Sequence, residues 1–248
     1  MRKIAVTLTK GGIGKTTTAV NLAAGLAQTG KRVLLVDTDT QDQAAFMLGV
    51  APAAGIGEVI LEQQSLERAI TGARDGLWLL CGGDGIPAAR RGISQQTARG
   101  ETALSRALAP LDGRFDVVVL DTAPGWDEMT VNVLFYADEI LAPVSLELLA
   151  LKGLVEFVKR VEAVQPFRPI ALNHVLPTFM DQRVRKSKEI LGQIHAFYGE
   201  RVCEPVRYNV RLSEAPGFGQ TIFEYAPASK GAEDYRKLTE RIIRHGNT

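Results

Sequence analysis

Short apolar runs alternate with amphipathic segments along nearly the whole chain. The apolar runs predict buried strands at residues 4–8, 33–36, 77–81, 117–120, 140–144 and 170–175. The amphipathic segments predict helices near residues 16–29, 99–109, 127–137, 148–164, 183–198 and 229–244. Because apolar strands separated by helices are typical of a parallel sheet covered on both faces, we expect an α/β fold with a doubly wound, mostly parallel sheet. We expect a single domain over residues 1–248, since this length does not require a second core.

Two stretches give weaker signals. Residues 43–76 contain several glycines and Pro52, which predict a loop, and residues 58–71 within them predict a short helix. Arg90 and Arg91 follow the glycine- and proline-rich sequence GGDGIPAA, and we expect both on the solvated surface.

The first predicted strand leads into a glycine-rich loop, TLTKGGIGKTTT over residues 7–18, which opens the first predicted helix. Glycines lack Cβ atoms, so the backbone N–H groups of such a loop can close around a phosphate chain, and the positive helix end adds to the attraction. At this spacing Lys15 reaches the β- and γ-phosphates, and the Thr16 hydroxyl can ligate Mg²⁺. The alternative is a tight glycine turn with a solvated lysine.

Acidic residues follow two of the predicted strands, at the sheet edge where ligands bind in such folds. Asp37 and Asp39 follow the second strand and point the same way while the chain stays extended. One carboxylate can approach Mg²⁺ directly or through water, and the other can orient the water that attacks the γ-phosphate. Asp121 follows four apolar residues, an arrangement that holds Mg²⁺ through water. The alternative is a set of turn residues, because turns favour aspartate.

Composition narrows the class of protein. Hydrophobic residues make up 46% and charged residues 23%, as in ordinary globular proteins. The 29 Lys and Arg nearly balance the 28 Asp and Glu, so any DNA-binding surface must be a local patch. Cys81 and Cys203 stand far apart without a CxxC motif, which predicts buried thiols in a reducing compartment. Without a signal peptide or a bilayer-length apolar run, we expect a cytoplasmic protein and no membrane partner.

A local basic patch is present in the segment DQRVRKSK, residues 181–188. On a helix its cations would share two faces, Arg183 with Lys186 and Arg185 with Lys188. With Arg207 and Arg211 they would form a stripe that binds phosphates without reading bases, in a salt-sensitive way. The alternative is an ordinary solvated helix face.

The phosphate loop departs from the ordinary pattern at its start. Thr9 occupies the position of the usual first glycine, and Lys10 stands beside it. Lys10 cannot easily fold back onto phosphates that Lys15 already serves, so it is available to a nucleotide held by another subunit. The loop resembles the deviant Walker A motif, KGGxGK[ST], of the ParA/MinD family of dimerising ATPases, in which the first lysine reaches the partner's ATP. A plain surface lysine is the alternative.

This resemblance implies a P-loop NTPase fold that binds ATP and Mg²⁺. It implies catalytic roles for Asp39, Lys10 and Lys15, and metal binding by Thr16, Asp37 and Asp121. The segment after the second strand is similar to the family's switch I, DxDPQ, with Thr40 in place of proline. The segment after Asp121 resembles switch II, with Ala123 in place of its first proline. The residues of the loop expected to bind nucleotide are Lys10, Gly11, Gly12, Ile13, Gly14, Lys15, Thr16 and Thr17.

The C-terminal third resembles Soj-type chromosomal ParA proteins, in NVRLSEAP at residues 209–216 and YAPASKGA at residues 225–232. Arginines that match Arg183 and Arg211 contribute to non-specific DNA binding in those relatives. The DNA-binding residues that we expect are Arg183, Arg185, Lys186 and Arg211. In the relatives a segment with the sequence IPRN lies by the adenine, which adds Arg207 and Asn209 to the expected nucleotide site; this chain has Val-Arg-Tyr-Asn there.

The expected function is an ATP-dependent partition ATPase that binds DNA non-specifically as an ATP-bound homodimer and is released by slow hydrolysis. A ParB-like or other cargo adaptor would stimulate hydrolysis, and the protein would be nucleoid-associated. A MinD-like membrane ATPase is one alternative, with residues 229–248 as a targeting tail instead of a packed helix. Positioning of a non-DNA cargo is another. A nitrogenase iron protein would need differently placed cysteines, and an amidating synthetase would need a substrate domain that 248 residues do not hold.

Overall fold

A computed structural model describes residues 1–96 and 99–246. Residues 97, 98, 247 and 248 of the predicted domain lie outside the described residues. The strands are β1 (Arg2–Val6), β2 (Val33–Asp37), β3 (Ile70–Arg74), β4 (Leu77–Leu80), β5 (Val117–Asp121), β6 (Glu139–Ser145) and β7 (Leu172–Thr178). They form a seven-stranded sheet in the order β3-β4-β2-β5-β1-β6-β7. Every neighbouring pair is parallel except β3 and β4.

Helices surround this sheet. The α-helices are α1 (Lys15–Gln28), α2 (Gln43–Leu48), α3 (Ile56–Ile60), α4 (Leu66–Ala69), α5 (Ile86–Gln95), α6 (Ala103–Leu108), α7 (Glu128–Tyr136), α8 (Leu148–Val164), α9 (Arg185–Tyr198), α10 (Val210–Glu214), α11 (Ile222–Tyr225) and α12 (Lys230–His245). Short 3₁₀ turns lie at Gly100–Thr102, Ala109–Leu111, Gly199–Arg201 and Ala215–Phe218. Within the described ranges, no helix combines the length and apolar composition needed to span a bilayer.

Both faces of the sheet are buried, because side chains alternate along each strand. In β1, Ile4 and Val6 pack in a core with α1 and α12, whereas Ala5 packs in the opposite core with α7 and α8. Within α12, the predicted apolar face (Tyr235, Leu238, Ile242 and Ile243) is buried or half-buried against α1. The predicted doubly wound, mostly parallel sheet is thus confirmed, and the apolar face of α12 is used within the chain.

The differences from prediction are local. Strand β3 was not predicted, because this antiparallel edge strand is only half-buried and contains Gly72 in open space. Residues 43–76 form three short helices and β3 instead of a loop and one helix. The turn expected before Arg90 begins helix α5, with Pro87 in its first turn.

The parallel register brings the ends of three central strands together. Asp121 at the end of β5 pairs in register with Val6 of β1 on one side and Asp37 of β2 on the other. The loop after β1 therefore emerges beside both aspartates. This edge of the sheet is the one at which doubly wound folds bind ligands.

Candidate active site

The loop between β1 and α1 has the backbone conformation of a phosphate cradle. Gly12 and Gly14 adopt positive φ angles of 71° and 86°, which side chains beyond glycine rarely tolerate. Gly14 is the N-cap of α1, and the Thr18 N–H donates to its carbonyl at 2.9 Å. The free N–H groups of the first turn and the positive helix end thus face this loop.

Lys15 lies inside the loop. Its residue is 6% exposed, and its Nζ donates to the carbonyl of Lys10 at 2.9 Å. Burial lowers the pKa of Lys15, and the negative charges of Asp121 and Asp39 oppose that shift. The ammonium is therefore held within the curve of the loop, where a phosphate oxygen can replace the carbonyl.

Asp121 and Asp37 are both fully buried at this edge. Both oxygens of Asp37 accept backbone N–H groups, from Asp39 at 2.8 Å and from Ala44 at 3.1 Å. Neither carboxylate oxygen of Asp121 has a hydrogen-bond partner among the described residues. Burial and the charge of Asp37 raise the pKa of Asp121, while Thr16 and Lys15 act in the opposite direction.

Unpartnered buried carboxylate oxygens beside a hydroxyl fit a hard divalent cation, which takes oxygen ligands and keeps several waters. Asp121 and Thr16 are therefore suited to hold Mg²⁺. Burial raises the pKa of Asp37 to about 7. Its oxygens are engaged by backbone N–H groups, so this carboxyl group is placed to act on the ion through water. Asp39 lies at the cavity wall, and its Oδ1 accepts the N–H of Gln41 at 3.2 Å.

A cavity of about 510 Å³ opens over the phosphate loop, within the range of small-molecule sites. Its lining brings together most of the predicted nucleotide residues and several that sequence reasoning missed. The predicted ones are Gly11, Gly12, Gly14, Lys15, Thr16, Thr17, Arg207 and Asn209, and the predicted catalytic residue Asp39 lines the same cavity. The missed ones include Gln41, Gln43, Thr122, Phe179, Tyr208, Leu212 and Tyr235. Ile13 is buried behind the loop, and its carbonyl accepts the Thr178 hydroxyl at 3.0 Å.

Arg207 lies at the cavity wall, and its guanidinium is already paired with two carboxylates. Its Nε and Nη2 donate to Asp234 at 3.0 and 2.6 Å, and Nη2 also donates to Glu233 at 2.7 Å. These carboxylates raise the pKa of Arg207. The guanidinium therefore fixes its own segment and does not contribute a free cation to the predicted basic stripe.

Lys10 lies outside the cavity. Its Nζ is 2.7 Å from Glu147 Oε2, and the two side chains are 31% and 68% exposed. The cavity lining contains Lys15 but not Lys10. The two lysines of the loop therefore lie in different surroundings, Lys15 at the cavity and Lys10 beside Glu147.

The basic residues at the start of α9 are exposed, but one expected detail is wrong. Arg183 lies in the turn before α9, which begins at Arg185, so Arg183 and Lys186 do not share a helix face. Ion pairs join Arg183 to Asp181, Arg185 to Glu189 and Arg211 to Glu214, each at 2.8 Å. Such exposed pairs contribute little and can be exchanged for phosphate. Arg90, expected in solvent, is half-buried and pairs with Asp127 at 3.2 Å.

The fold and this site together define a P-loop nucleoside triphosphatase. The family described as "AAA domain" matches residues 1–173. The chain is 39% identical over 246 residues to the chromosome-partitioning ATPase Soj of Thermus thermophilus, covering 98% of this chain and 96% of that protein. It is 34% identical to the sporulation initiation inhibitor protein Soj of Bacillus subtilis, with 98% of each chain covered. The chain therefore belongs to the Soj/ParA family of partition ATPases.

Solved structures agree with the fold. A Mycobacterium smegmatis protein named cobyrinic acid a,c-diamide synthase, solved with ADP and magnesium, has a TM-score of 0.85 at 32% identity, covering 100% of this chain and 96% of that one. The ATP complex of a Cyanothece McdA variant has a TM-score of 0.87, covering 98% of this chain and 96% of that one; its 22% identity supports the fold alone. The first of these proteins is similar in length to this chain.

Proposed function

We propose that this partition ATPase binds ATP and Mg²⁺ in the cavity above the phosphate loop, dimerises around the nucleotides and binds DNA non-specifically as a dimer. The cavity volume, the buried Lys15 and the unpartnered oxygens of Asp121 support the nucleotide site. The protein would act in the cytoplasm at the nucleoid, where slow hydrolysis returns it to the monomer.

Catalysis in this site rests on positioning and charge stabilisation. Lys15 and the N–H groups at the start of α1 hold the phosphates, while Thr16 and Asp121 would hold Mg²⁺, which supplies neutralising charge when bound. Asp39 has the exposure needed to accept a hydrogen bond from the attacking water. The backbone N–H of Asp39 donates to the buried carboxyl group of Asp37, so Asp37 helps to orient Asp39.

We propose a dimer because the two lysines of the phosphate loop lie in different surroundings. Lys15 is enclosed by its own loop, while Lys10 is held outside the cavity by an exposed ion pair with Glu147. An exposed pair of this kind is worth roughly 0–1 kcal/mol, so a partner's phosphates can compete for Lys10. The lysine then serves the nucleotide of the second subunit.

The DNA surface is proposed from the exposed cations Arg183, Arg185, Lys186 and Arg211. Cations without base-reading partners bind the phosphate backbone and confer no sequence preference. A ParB-like or other cargo adaptor would stimulate hydrolysis and release the dimer. Cargo other than DNA is compatible with the same cycle.

Light scattering with a non-hydrolysable ATP analogue and Mg²⁺ tests the proposal. The wild type should dimerise, Lys15→Ala should bind no nucleotide, and Lys10→Ala should bind nucleotide but stay monomeric. Arg91→Ala, which removes an exposed cation on α5, is the matched control and should dimerise normally. If Lys10→Ala dimerised as well as the wild type, Lys10 would have no role at the nucleotide of the second subunit.

A MinD-like membrane ATPase is separated from this proposal by binding to liposomes and to duplex DNA, each with ATP. ATP-dependent amidation is a second candidate, because of the Mycobacterium smegmatis relative. Cys81 and Cys203 are buried, and burial raises the pKa of both thiols, so neither is suited to release ammonia from glutamine. Release of phosphate from ATP in the absence of any carboxylic acid to be amidated would favour the partition ATPase.

A further inference from the structure

The backbone of Asp39 is in close contact with the loop after β4, residues 81–85. A Cβ built on Gly82 would overlap the carbonyl oxygen of Asp39 and would lie 2.9 Å from its carbonyl carbon. Gly82 is buried, and a residue without a Cβ lets two backbones approach each other in this way. The proposed catalytic residue is therefore packed at its own carbonyl group against this loop.

A hydrogen bond joins the same two segments three residues later. Asp42 Oδ1 accepts the N–H of Gly83 at 2.7 Å. Asp42 has a φ of +47°, in the left-handed region that few residues other than glycine adopt but that aspartate tolerates. Asp42 is the N-cap residue of α2, yet its side chain makes no capping hydrogen bond among the described residues. The carboxylate therefore bonds the loop after β4 instead of its own helix.

The loop after β4 is itself held by the start of α3. The Ile56 N–H donates to the Cys81 carbonyl at 2.7 Å. A Cβ built on Gly55 would overlap the carbonyl oxygen of Gly82 and would lie 2.8 Å from the carbonyl oxygen of Cys81. Gly82 is thus in close backbone contact with both α3 and Asp39. Backbone that is packed in this way has little room to move.

The two peptide groups on either side of the Asp39 Cα are therefore both restrained. The Asp39 N–H donates to Asp37 Oδ1 at 2.8 Å, which fixes the preceding peptide group. The contact with Gly82 and the bond between Gly83 and Asp42 fix the chain that follows. Because the backbone limits the side-chain rotamers, these contacts determine where the carboxylate of Asp39 meets the cavity. Asp42 does not line the cavity, so its effect there passes through the backbone.

We infer that Asp42 and Gly82 are positioning residues for ATP hydrolysis, which hold Asp39 in the orientation that accepts a hydrogen bond from the attacking water. This inference rests on the proposed catalytic role of Asp39. Misplacement of a catalytic group by about 1 Å can cost about 100-fold in rate. Nucleotide binding rests instead on Lys15 and the phosphate loop. Loss of either positioning residue should therefore lower kcat and leave the affinity for nucleotide unchanged.

Phosphate release at saturating ATP and Mg²⁺, measured beside the affinity for a non-hydrolysable analogue, tests the inference. Gly82→Ala should lower kcat by about 100-fold, because the added Cβ must displace the Asp39 carbonyl. Asp42→Gly permits the same φ but lacks the acceptor, and it should lower kcat by about 3- to 10-fold. Asp42→Asn keeps an acceptor oxygen and tolerates the same φ, so its kcat should stay within about twofold of the wild type.

All three variants should bind the analogue like the wild type. Gly72→Ala is the control for Gly82→Ala, because its added Cβ has nothing within 4 Å, and it should keep the wild-type kcat. Unchanged kcat in Gly82→Ala and Asp42→Gly would overturn the inference, as would an equal loss of kcat and of analogue affinity. A loss in Asp42→Asn as large as in Asp42→Gly would show that the acceptor oxygen has no role.

Asp39→Ala separates this inference from the proposed function. If Asp39→Ala lost hydrolysis while Asp42→Gly and Gly82→Ala kept it, the inference alone would be overturned. If Asp39→Ala hydrolysed ATP normally, the catalytic role of Asp39 would be overturned together with the inference. Thermal unfolding of each variant verifies that it is folded, and Asp42→Gly still decides the question if Gly82→Ala does not fold.

Discussion

Lys10 Nζ lies 2.7 Å from Glu147 Oε2, at the start of α8 in the same chain. Glu147 is the N-cap residue of α8, and β6 ends at Ser145, two residues earlier. The lysine of the phosphate loop is thus connected to an element at the far side of β1 from Asp37. In the isolated chain, this contact holds the charge of Lys10 away from its own phosphate cavity.

Glu147→Gln should favour the nucleotide-bound dimer. The substitution releases Lys10 from an exposed pair worth roughly 0–1 kcal/mol, so the dimer constant should rise by up to about fivefold. The concentration dependence of light scattering with a non-hydrolysable analogue measures this change. Glu189→Gln, which breaks the Arg185 pair on α9, is the matched control and should leave the dimer constant unchanged. A weaker dimer in Glu147→Gln would mean that Glu147 itself contributes to the interface.

Asp121→Asn should separate stability from activity. An ionised Asp121 is buried beside Asp37 without a hydrogen-bond partner among the described residues, so the neutral amide should stabilise the nucleotide-free protein. Because the pKa of Asp121 is raised, this gain should be larger at pH 8 than at pH 5, where the carboxyl carries less charge. ATP hydrolysis should fall by about 100-fold or more, since a group that stabilises transition-state charge is lost.

Denaturant unfolding and phosphate release measure these two effects. Asp116→Asn is the contrasting variant, because Asp116 is half-buried and its carboxylate is paired with Arg32 at 2.9 Å. It should not stabilise the protein and should hydrolyse ATP normally. Destabilisation by Asp121→Asn without Mg²⁺ would show that the carboxylate has a protein partner in solution.

The sequence predicts the central sheet and most of the phosphate site, because both depend on local patterns. The strands β1, β2 and β5 are continuous apolar runs, and Lys15, Thr16 and Asp121 follow such runs at fixed distances. The aromatic part of the cavity lining, Phe179 and Tyr208, could not be predicted in this way. The segments that carry Phe179 and Tyr208 are joined by hydrogen bonds of Met180 with Val206 and Tyr208, which are far apart in sequence. Asp234 reaches Arg207 from the last helix. Strand β3 has the sequence ITGAR, in which apolar and polar residues do not alternate. Its pairing with β4 could therefore not be predicted from a sequence pattern.

Glu139 should make the protein sensitive to acid. Burial would raise its pKa, but hydrogen bonds from His174 and Arg2 outweigh burial and lower the pKa of Glu139 to about 2. A depressed pKa contributes stability above the ordinary glutamate range, and this contribution is lost as pH falls from about 5 to about 2. The free energy of unfolding should therefore fall less steeply over this range in Glu139→Gln than in the wild type. Equal slopes in urea unfolding would contradict the assignment.

Arg211→Ala should weaken DNA binding without changing basal hydrolysis. The Arg211 side chain is 54% exposed and pairs with Glu214, whose Oε2 also accepts the Tyr225 hydroxyl at 3.0 Å. Loss of one phosphate contact should reduce the slope of log affinity against log salt by about 0.9. Fluorescence anisotropy with duplex DNA between about 50 and 200 mM salt measures the slope. Arg91→Ala is the control and should keep the wild-type slope. An unchanged slope in Arg211→Ala would mean that Arg211 does not contact a DNA phosphate.

Gly219→Ala should destabilise the contact between α2 and the turn after α10. Gly219 has a φ of +62°, and a Cβ there would lie 2.8 Å from the Cα of Gly49, which itself has a φ of +64°. Arg74 joins the same two segments, donating to Leu48 at 3.0 Å and to the Gly219 carbonyl at 2.8 Å. Gly113→Ala is a matched control, since Gly113 has a φ of +80° with nothing within 4 Å of the added Cβ. The control should lose about 1–2 kcal/mol from backbone strain alone, whereas Gly219→Ala should lose about 1–3 kcal/mol more from the clash. Equal losses in urea unfolding would show that the two backbones separate freely, so that the segment after Asp39 and the segment after Arg211 are not coupled through this contact.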